Sequence, residues 1–372
     1  MSRPIVIAAG GTGGHMFPAL ALAEELRRRG QAVVVVCDQR GARYVGQEVE
    51  HHLIRAASPS GSPGQRLRAL GELASGFGQS LTLLRRLRPA AVAALGGYAS
   101  APVGLAARLL RIPLLVHEQN AVLGRANRLL ARRAAKLALS FPTTRGAEAV
   151  PPARVLVTGN PIRAEVATLR AQPYRPPMAE GPLEVLVVGG SQGARAFSEV
   201  LPAALALLPK ADRARLRLTQ QCRPEDLERV ASAYAGLGFA AELKSFFDDL
   251  PRRLAEAQLV ISRSGASSVA EILALGRPAL FVPFRFAADD HQRANAEAAA
   301  AAGAAWVINE ADLSAEAMTG KLAIGLSEPE RLAEMARRAH ELGRPEATSA
   351  LADALETLIA RTPAKAYREA LA

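Results

Sequence analysis

The sequence predicts an α/β protein made of two Rossmann-like, doubly wound parallel-sheet domains. Three observations carry this. Short, wholly apolar β runs alternate with amphipathic helical stretches along most of the chain. Two of those runs open into glycine-rich turns, IVIAAGGTGGH at 5–15 and VLVVGGSQGA at 185–194, which forms a weak internal repeat. Between the two series lies a proline-rich stretch, QPYRPPMAEGP at 172–182, with the character of a linker. Right-handed crossovers would wind each half into one sheet, and the two sheets would face each other across a cleft at their carboxyl ends. The boundaries read as 1–160, 161–342 and a C-terminal segment 343–372, whose helix is expected to pack back on the first domain.

In order, PIVIAA (4–9) is the first strand. A helix over 18–29 starts at Pro18 and closes at Gly30, a favoured residue just past a helix end. AVVVVC (32–37) is a fully apolar strand, as a sheet covered on both faces requires. A loop at 58–64 precedes a long helix over 65–88, ended by Pro89. AAVAAL (90–95), PLLVHEQ (113–119) and a run near 135–140 are strands, separated by helices over 101–110 and 124–132. The second half restarts with LEVLVVGG (183–190) and continues through LRLTQQC, LKSFFDD, QLVISRSG and PALFVPF. A helix opens with SQGARAFSEVLPAAL (191–205), others start near 225, 267 and 291, and a last one spans about 347–360.

Of 372 residues, 49% are hydrophobic and 22% charged, enough apolar content for full cores and too much for disorder. Two cysteines, Cys37 and Cys222, exclude a disulfide framework and read as core thiols in a reducing compartment. Residues 1–9 run straight into a glycine-rich turn and read as a strand rather than a cleavable leader. No apolar run is long enough to span a bilayer. The net charge of +11 is unevenly placed. Residues 1–159 hold 21 Lys+Arg and 8 Asp+Glu (+13), and the remainder holds 25 and 27 (−2). A basic first half invites an anionic partner, although free use of arginine would also raise the count.

Four motifs bear chemistry. In GGTGGH, glycines let backbone N–H groups approach an anionic oxygen at a helix start. His15 could there accept a proton from a hydroxyl, or simply cap the helix. Asp38, after the second strand, could mimic the ribose-binding acid of dinucleotide folds. GGSQGA is a second phosphate cradle, with Ser191 as an added donor. It lacks GK[ST] and is no P-loop. In RSGASSVAE, Ser267 is a candidate N-cap of a helix facing a diphosphate. Glu271, one turn in, could take both hydroxyls of a ribose or be an ordinary helix acid. In DDHQRAN, Gln292 and Asn295 share a helix face and suit sugar hydroxyls. Asp289 and Asp290 read as helix-start acids, so no metal site is expected.

GGTGGH, GGYASAP, HEQN, GNPIR, GGSQGA, FFDD, SRSGASSVAE and DDHQRANA occur in this order over nearly the whole chain. In this the chain resembles the MurG family, the UDP-N-acetylglucosamine:undecaprenyl-diphospho-N-acetylmuramoyl-pentapeptide N-acetylglucosaminyltransferases of peptidoglycan synthesis, which have the GT-B fold. The resemblance implies inverting transfer of GlcNAc onto the C4 hydroxyl of lipid-linked MurNAc, without a cofactor. It implies that the backbone at Phe247 reads uracil, Glu271 the ribose, and Ser191 with Ala266, Ser267 and Ser268 the diphosphate, with Val269 and Ala270 also at the donor. Arg163, Gln292 and Asn295 would contact the donor. Asn120 and Thr12, Gly13 and Gly14 would reach it from the first domain. The acceptor would lie on Gly13, Gly14, His15, Gly97, Tyr98 and Asn127. His15 is the expected base, with Glu118 in reserve. In Phe246-Phe247 the second phenylalanine stands where the family usually has an aliphatic residue, which a backbone contact tolerates.

An acceptor in a bilayer implies docking at the cytoplasmic face of the cell membrane. Leu67, Leu70, Leu73, Phe77, Leu81 and Leu84 recur at helical spacing among Arg66, Arg68, Arg85, Arg86 and Arg88. That pattern fits an interfacial site on anionic phospholipid, or a core-facing stripe with solvated arginines. Competing functions are a GT-B enzyme with another lipid acceptor and a nucleotide-sugar sensor. Charge alone suggests nucleic acid, and at 4% aromatic content with no recognition motif none is expected as a partner. Neither glycine turn carries the full oxidoreductase fingerprint.

Overall fold

The computed structural model describes residues 3–58, 62–189 and 195–361. The chain forms two compact units, Met1–Arg163 together with Glu346–Ala372, and Ala164–Pro345. The first holds a seven-stranded sheet: β1 (Ile5–Ala8), β2 (Val33–Cys37), β3 (His51–Leu53), β4 (Ala91–Ala94), β5 (Leu114–Glu118), β6 (Lys136–Leu139) and β7 (Val155–Val157). The strand order is β3-β2-β1-β4-β5-β6-β7, and every pairing is parallel.

The apolar strands are explained by helices on both faces. Val6 and Ala8 join a core with Leu84, Val103 and Leu130, from the helices α2 (Pro63–Leu87), α3 (Ser100–Leu109) and α4 (Arg125–Ala131). Ile5 and Ile7 point the other way, to Leu22 and Leu26 of α1 (Gly13–Arg28) and to Leu351 and Leu355 of the C-terminal helix Ala347–Ala360. That last helix is pinned to α1 by Arg29, whose guanidinium donates to Asp353, Glu356 and Ser349.

The second unit repeats the scheme with six parallel strands: β8 (Leu183–Val188), β9 (Leu216–Gln221), β10 (Ala241–Lys244), β11 (Leu259–Ser262), β12 (Ala279–Phe281) and β13 (Ala305–Val307). Their order is β10-β9-β8-β11-β12-β13. Both cysteines are free and buried, as the sequence suggests.

Several elements differ from expectation. The short strands β3, β7 and β13 go beyond the sequence expectation: each is three residues long, and only β7 and β13 are apolar. β3 is exposed, half-buried and exposed in turn. β10 precedes FFDD rather than containing it. α1 starts at Gly13, not Pro18, with Thr12 as its extended N-cap. Proline favours a helix's first position, but here Met16, Ala19 and Leu22 are all fully buried, and their packing outweighs the hydrogen bond that Pro18 forgoes. In helix Ala266–Ala274 the N-cap is Gly265, not Ser267.

Candidate active site

Each sheet reverses its winding once, between β1 and β4 in the first unit and between β8 and β11 in the second. Doubly wound sheets take ligands outside the carboxyl ends of the strands at such points. The loops leaving those four strands are the four that carry the glycine-rich motifs.

In the first unit, the loops after β1 and β4 touch backbone to backbone. A Cβ on Gly97, where φ is +75°, would stand 2.3 Å from the Gly10 carbonyl oxygen. A side chain there would force the loops apart. Asp38 does not await a ribose. Its Oδ1 accepts the N–H groups of Gly11 (2.8 Å) and Gly41 (2.9 Å), and Arg40 donates to its Oδ2. Asp38 is the clamp that shapes the Gly10–Gly11 turn.

His15 is half-buried in the first turn of α1. Its Nδ1 lies 3.3 Å from Gln119 Oε1, and Gln119 Nε2 donates to the Leu95 carbonyl at 2.6 Å. Thr12 and Gly14 are exposed, Gly13 is buried, and Gly97, Tyr98 and Asn120 are half-buried. Gln119 is the residue that sequence reasoning missed. An amide directly after a strand carries no chemical signature of its own.

Glu118 and Asn127 have different tasks from those expected. Glu118 is 1% exposed. Its Oε1 accepts the backbone N–H and the side-chain Nδ2 of Asn120 (2.9 and 3.2 Å). Its Oε2 accepts the Gly124 N–H and Asn127 Nδ2, both at 2.8 Å. A carboxylate has about four lone-pair sites, and all four are taken, so Glu118 has none to aim at an incoming hydroxyl. Asn127 is buried, with Nδ2 shared between Glu118 and the His117 carbonyl, so it supports the loop from beneath instead of facing an acceptor.

His117 points into the same layer and is fully buried. Its Nε2 lies 3.0 Å from the Gly159 carbonyl, which ties β5 to the GNPIR segment. Burial holds its pKa down at about 4. Arg163 ends that segment, half-buried.

In the second unit, the turn after β11 is braced by buried and half-buried polar side chains. Arg263 is buried, donates to the Val282 and Pro283 carbonyls and pairs with Glu310. Glu310 in turn accepts the Arg285 N–H. Ser264 donates to the Gln292 carbonyl, Gln292 Oε1 accepts the Phe284 N–H, and Asn295 Nδ2 donates to the Ser264 carbonyl. Asn295 is fully buried, so its amide holds the turn, while Gln292 is half-buried above it.

The helix Ala266–Ala274 has no side-chain cap and no acid in its first turn, an arrangement that favours an anion. Its hydrogen-bond ladder starts with the Val269 N–H on Gly265. The N–H groups that precede the ladder belong to Ala266, Ser267 and Ser268. Val269 is fully buried and Ala270 lies inside the ladder, so neither of these two expected donor contacts has an N–H outside it. Glu271 is 8% exposed, one turn further along. Phe247 is buried beneath Arg253, whose guanidinium carbon stands 4.6 Å from the ring centre, and Phe246 is exposed. Ser191 and the rest of GSQGA, residues 190–194, lie outside the described residues.

Two doubly wound units, each with glycine-rich loops at its switch point and one with an uncapped helix start beside a buried acid, define the GT-B class of nucleotide-sugar transferase. The chain belongs to glycosyltransferase family 28: the family's N-terminal domain matches residues 5–139 and its C-terminal domain residues 184–358. Its relatives are more specific. UDP-N-acetylglucosamine–N-acetylmuramyl-(pentapeptide) pyrophosphoryl-undecaprenol N-acetylglucosamine transferase of Rhodospirillum centenum is 50% identical over 354 residues, 95% of this chain and 93% of that protein. The Paramagnetospirillum magneticum protein of the same name is 50% identical over 358 residues. The crystal structure of Acinetobacter baumannii MurG matches with a TM-score of 0.77 at 32% identity, over 95% of this chain and 99% of that one.

Proposed function

We propose that this chain transfers GlcNAc from UDP-GlcNAc to undecaprenyl-diphospho-MurNAc-pentapeptide, the lipid I to lipid II step. The observation that carries this reading is 50% identity, over 95% of the chain, to a transferase named for that donor sugar and that acceptor. His15 is the general base. It takes the proton of the MurNAc C4 hydroxyl as the oxygen attacks C1 of GlcNAc. The C1–O bond to UDP breaks on the opposite side, which inverts the anomeric centre. The N-terminal N–H groups of Ala266–Ser268 offset the charge of departing UDP, Glu271 takes the ribose, and the backbone at Phe247 takes uracil. Gln292 meets the sugar hydroxyls, with Asn295 fixing the turn beneath. The acceptor diphosphate lies on Gly13, Gly14 and Gly97.

The enzyme would act as a peripheral protein at the cytoplasmic face of the membrane, on anionic phospholipid. The +13 of residues 1–159 supports this, as does the outward face of α2, where Leu67 (72% exposed) and Leu70 (56%) stand among Arg66 and Arg68. No described helix is long and apolar enough to cross a membrane.

The test is transfer of radiolabelled GlcNAc to a short-chain lipid I analogue. Wild type is expected to form product, and His15→Ala to lower kcat by about 10²–10⁴-fold, the range for loss of a general base. Glu271→Ala is expected chiefly to raise KM for UDP-GlcNAc. No product from wild type with UDP-GlcNAc still bound would move the function to another acceptor or to a sensor.

A further inference from the structure

From this geometry we infer that Gln119 is a positioning residue that decides which nitrogen of His15 carries the proton. The inference deepens the reading of His15 as base and rests on it for its catalytic meaning. Gln119 is 1% exposed and follows β5 directly. Its amide has one possible orientation. The Leu95 carbonyl, 2.6 Å away, can only accept, so the NH₂ group faces Leu95 and the oxygen faces His15. That oxygen can also only accept. A hydrogen bond from His15 Nδ1 at 3.3 Å therefore requires the proton on Nδ1. In a neutral imidazole this leaves the lone pair on Nε2.

The anchor of the relay is the sheet itself. Leu95 directly follows β4, and its N–H donates to the Ala8 carbonyl at the end of β1 (2.8 Å). The order therefore runs from the β1–β4 ladder to Leu95, to Gln119, to His15, with no freely rotating hydroxyl in the series. Gly96 provides the space. Its φ is +83°, and a Cβ there would stand 2.9 Å from His15 Nδ1 and 3.4 Å from Gln119 Oε1. The nearby imidazole of His117 is neutral and fully buried, with Nε2 on the Gly159 carbonyl, so it does not compete for the Gln119 oxygen. A carboxylate in place of Gln119 would hold His15 too, but would also favour the imidazolium, which cannot act as a base. A neutral amide sets the tautomer without adding a charge that favours the imidazolium.

The experiment is ¹⁵N NMR of the full-length enzyme labelled at histidine nitrogen. Ring signals of the six histidines are sorted with a His15→Gln variant. Wild type is expected to show His15 with a protonated Nδ1 and an unprotonated Nε2 at neutral pH. Gln119→Met removes both hydrogen bonds at similar volume and is expected to shift His15 toward the Nε2–H tautomer. With it, kcat falls by about tenfold or more, bounded by the loss in His15→Ala, at unchanged KM for UDP-GlcNAc. Gln119→Glu keeps an acceptor facing Nδ1 and is expected to keep the Nδ1–H signal. An Nε2–H tautomer in wild type, or an unchanged Nδ1–H signal in folded Gln119→Met, overturns the inference. The wild-type measurement alone decides it if Gln119→Met fails to fold. Tautomers as stated together with full turnover by His15→Ala would instead remove the base role and leave the control by Gln119 intact.

Discussion

Replacing Glu118 by glutamine separates two uses of one carboxylate. A base and an organiser predict opposite results. In the structure, Oε1 and Oε2 each accept two N–H groups, at 2.8–3.2 Å, and the group is 1% exposed. Glutamine keeps one oxygen and puts an NH₂ where the other stood. That NH₂ would face two donors, either the Asn120 pair or the Gly124 and Asn127 pair. Two charge-assisted hydrogen bonds are lost, at about 1.5–3 kcal/mol each, and buried donors are left opposed. After local relaxation a loss of about 3 kcal/mol is expected, a large part of the 5–15 kcal/mol that holds a domain. At about 2–4 °C per kcal/mol for a unit of this size, the thermal midpoint should drop by about 6–12 °C. Calorimetry with and without UDP-GlcNAc measures this, alongside kcat at a temperature where the variant is folded. A base would give the reverse: an unchanged midpoint and a kcat reduced by two or more powers of ten. That result would refute the organiser assignment.

Two further predictions concern the first unit. Leu67→Gln and Leu70→Gln combined with Arg66→Glu and Arg68→Glu should abolish flotation with anionic vesicles and leave UDP-GlcNAc affinity unchanged, each surface base contributing about 1 kcal/mol. Unchanged flotation would exclude this face of α2. Stability should also fall as pH drops from 6.5 toward 4, because unfolded His117 binds a proton near its ordinary 6.5 while the buried ring resists protonation to about 4. At about 1.4 kcal/mol per pH unit the ring accounts for about 3 kcal/mol. This stability is complete above pH 6.5, and in denaturant titrations His117→Gln should flatten the slope across that window. An equal slope in both proteins would refute it.

The fold was legible because parallel sheets covered on both faces must be apolar along their whole length. Val33–Cys37 and Ile5–Ala8 read as strands for that reason, and the glycines after β1 read as a close approach to an anion. What escaped is what periodicity cannot encode. β3 and β13 are three residues long at sheet margins, and their pairing comes from a neighbour rather than from their own pattern. The start of α1 was misplaced because a local preference of Pro18 competes with the burial of Met16, which becomes visible only in three dimensions. The long stripe in α2 divides for the same reason. Leu84 is core, Leu67 and Leu70 are exposed, and the sequence carries one helical period across both.

Residue type also misled in a consistent direction at the site. Glu118, Asn127, Asp38 and Asn295 are the side chains that a search for chemistry selects, and each bonds backbone or amide groups of its own unit. The physical reason is general. Loops that bring glycine N–H groups to a ligand have no side chains with which to pack, so their shape must come from buried polar groups beneath them. Those groups lie at the ends of β2 and β5, or one turn into the next helix, which are also the positions where ligand-binding residues stand. Spacing alone therefore cannot separate the two kinds. Hydrogen-bond saturation can: all four acceptor sites of Glu118 are filled from within its own unit, whereas the contact from Gln119 to His15 fixes its tautomer and leaves its second nitrogen as the basic one.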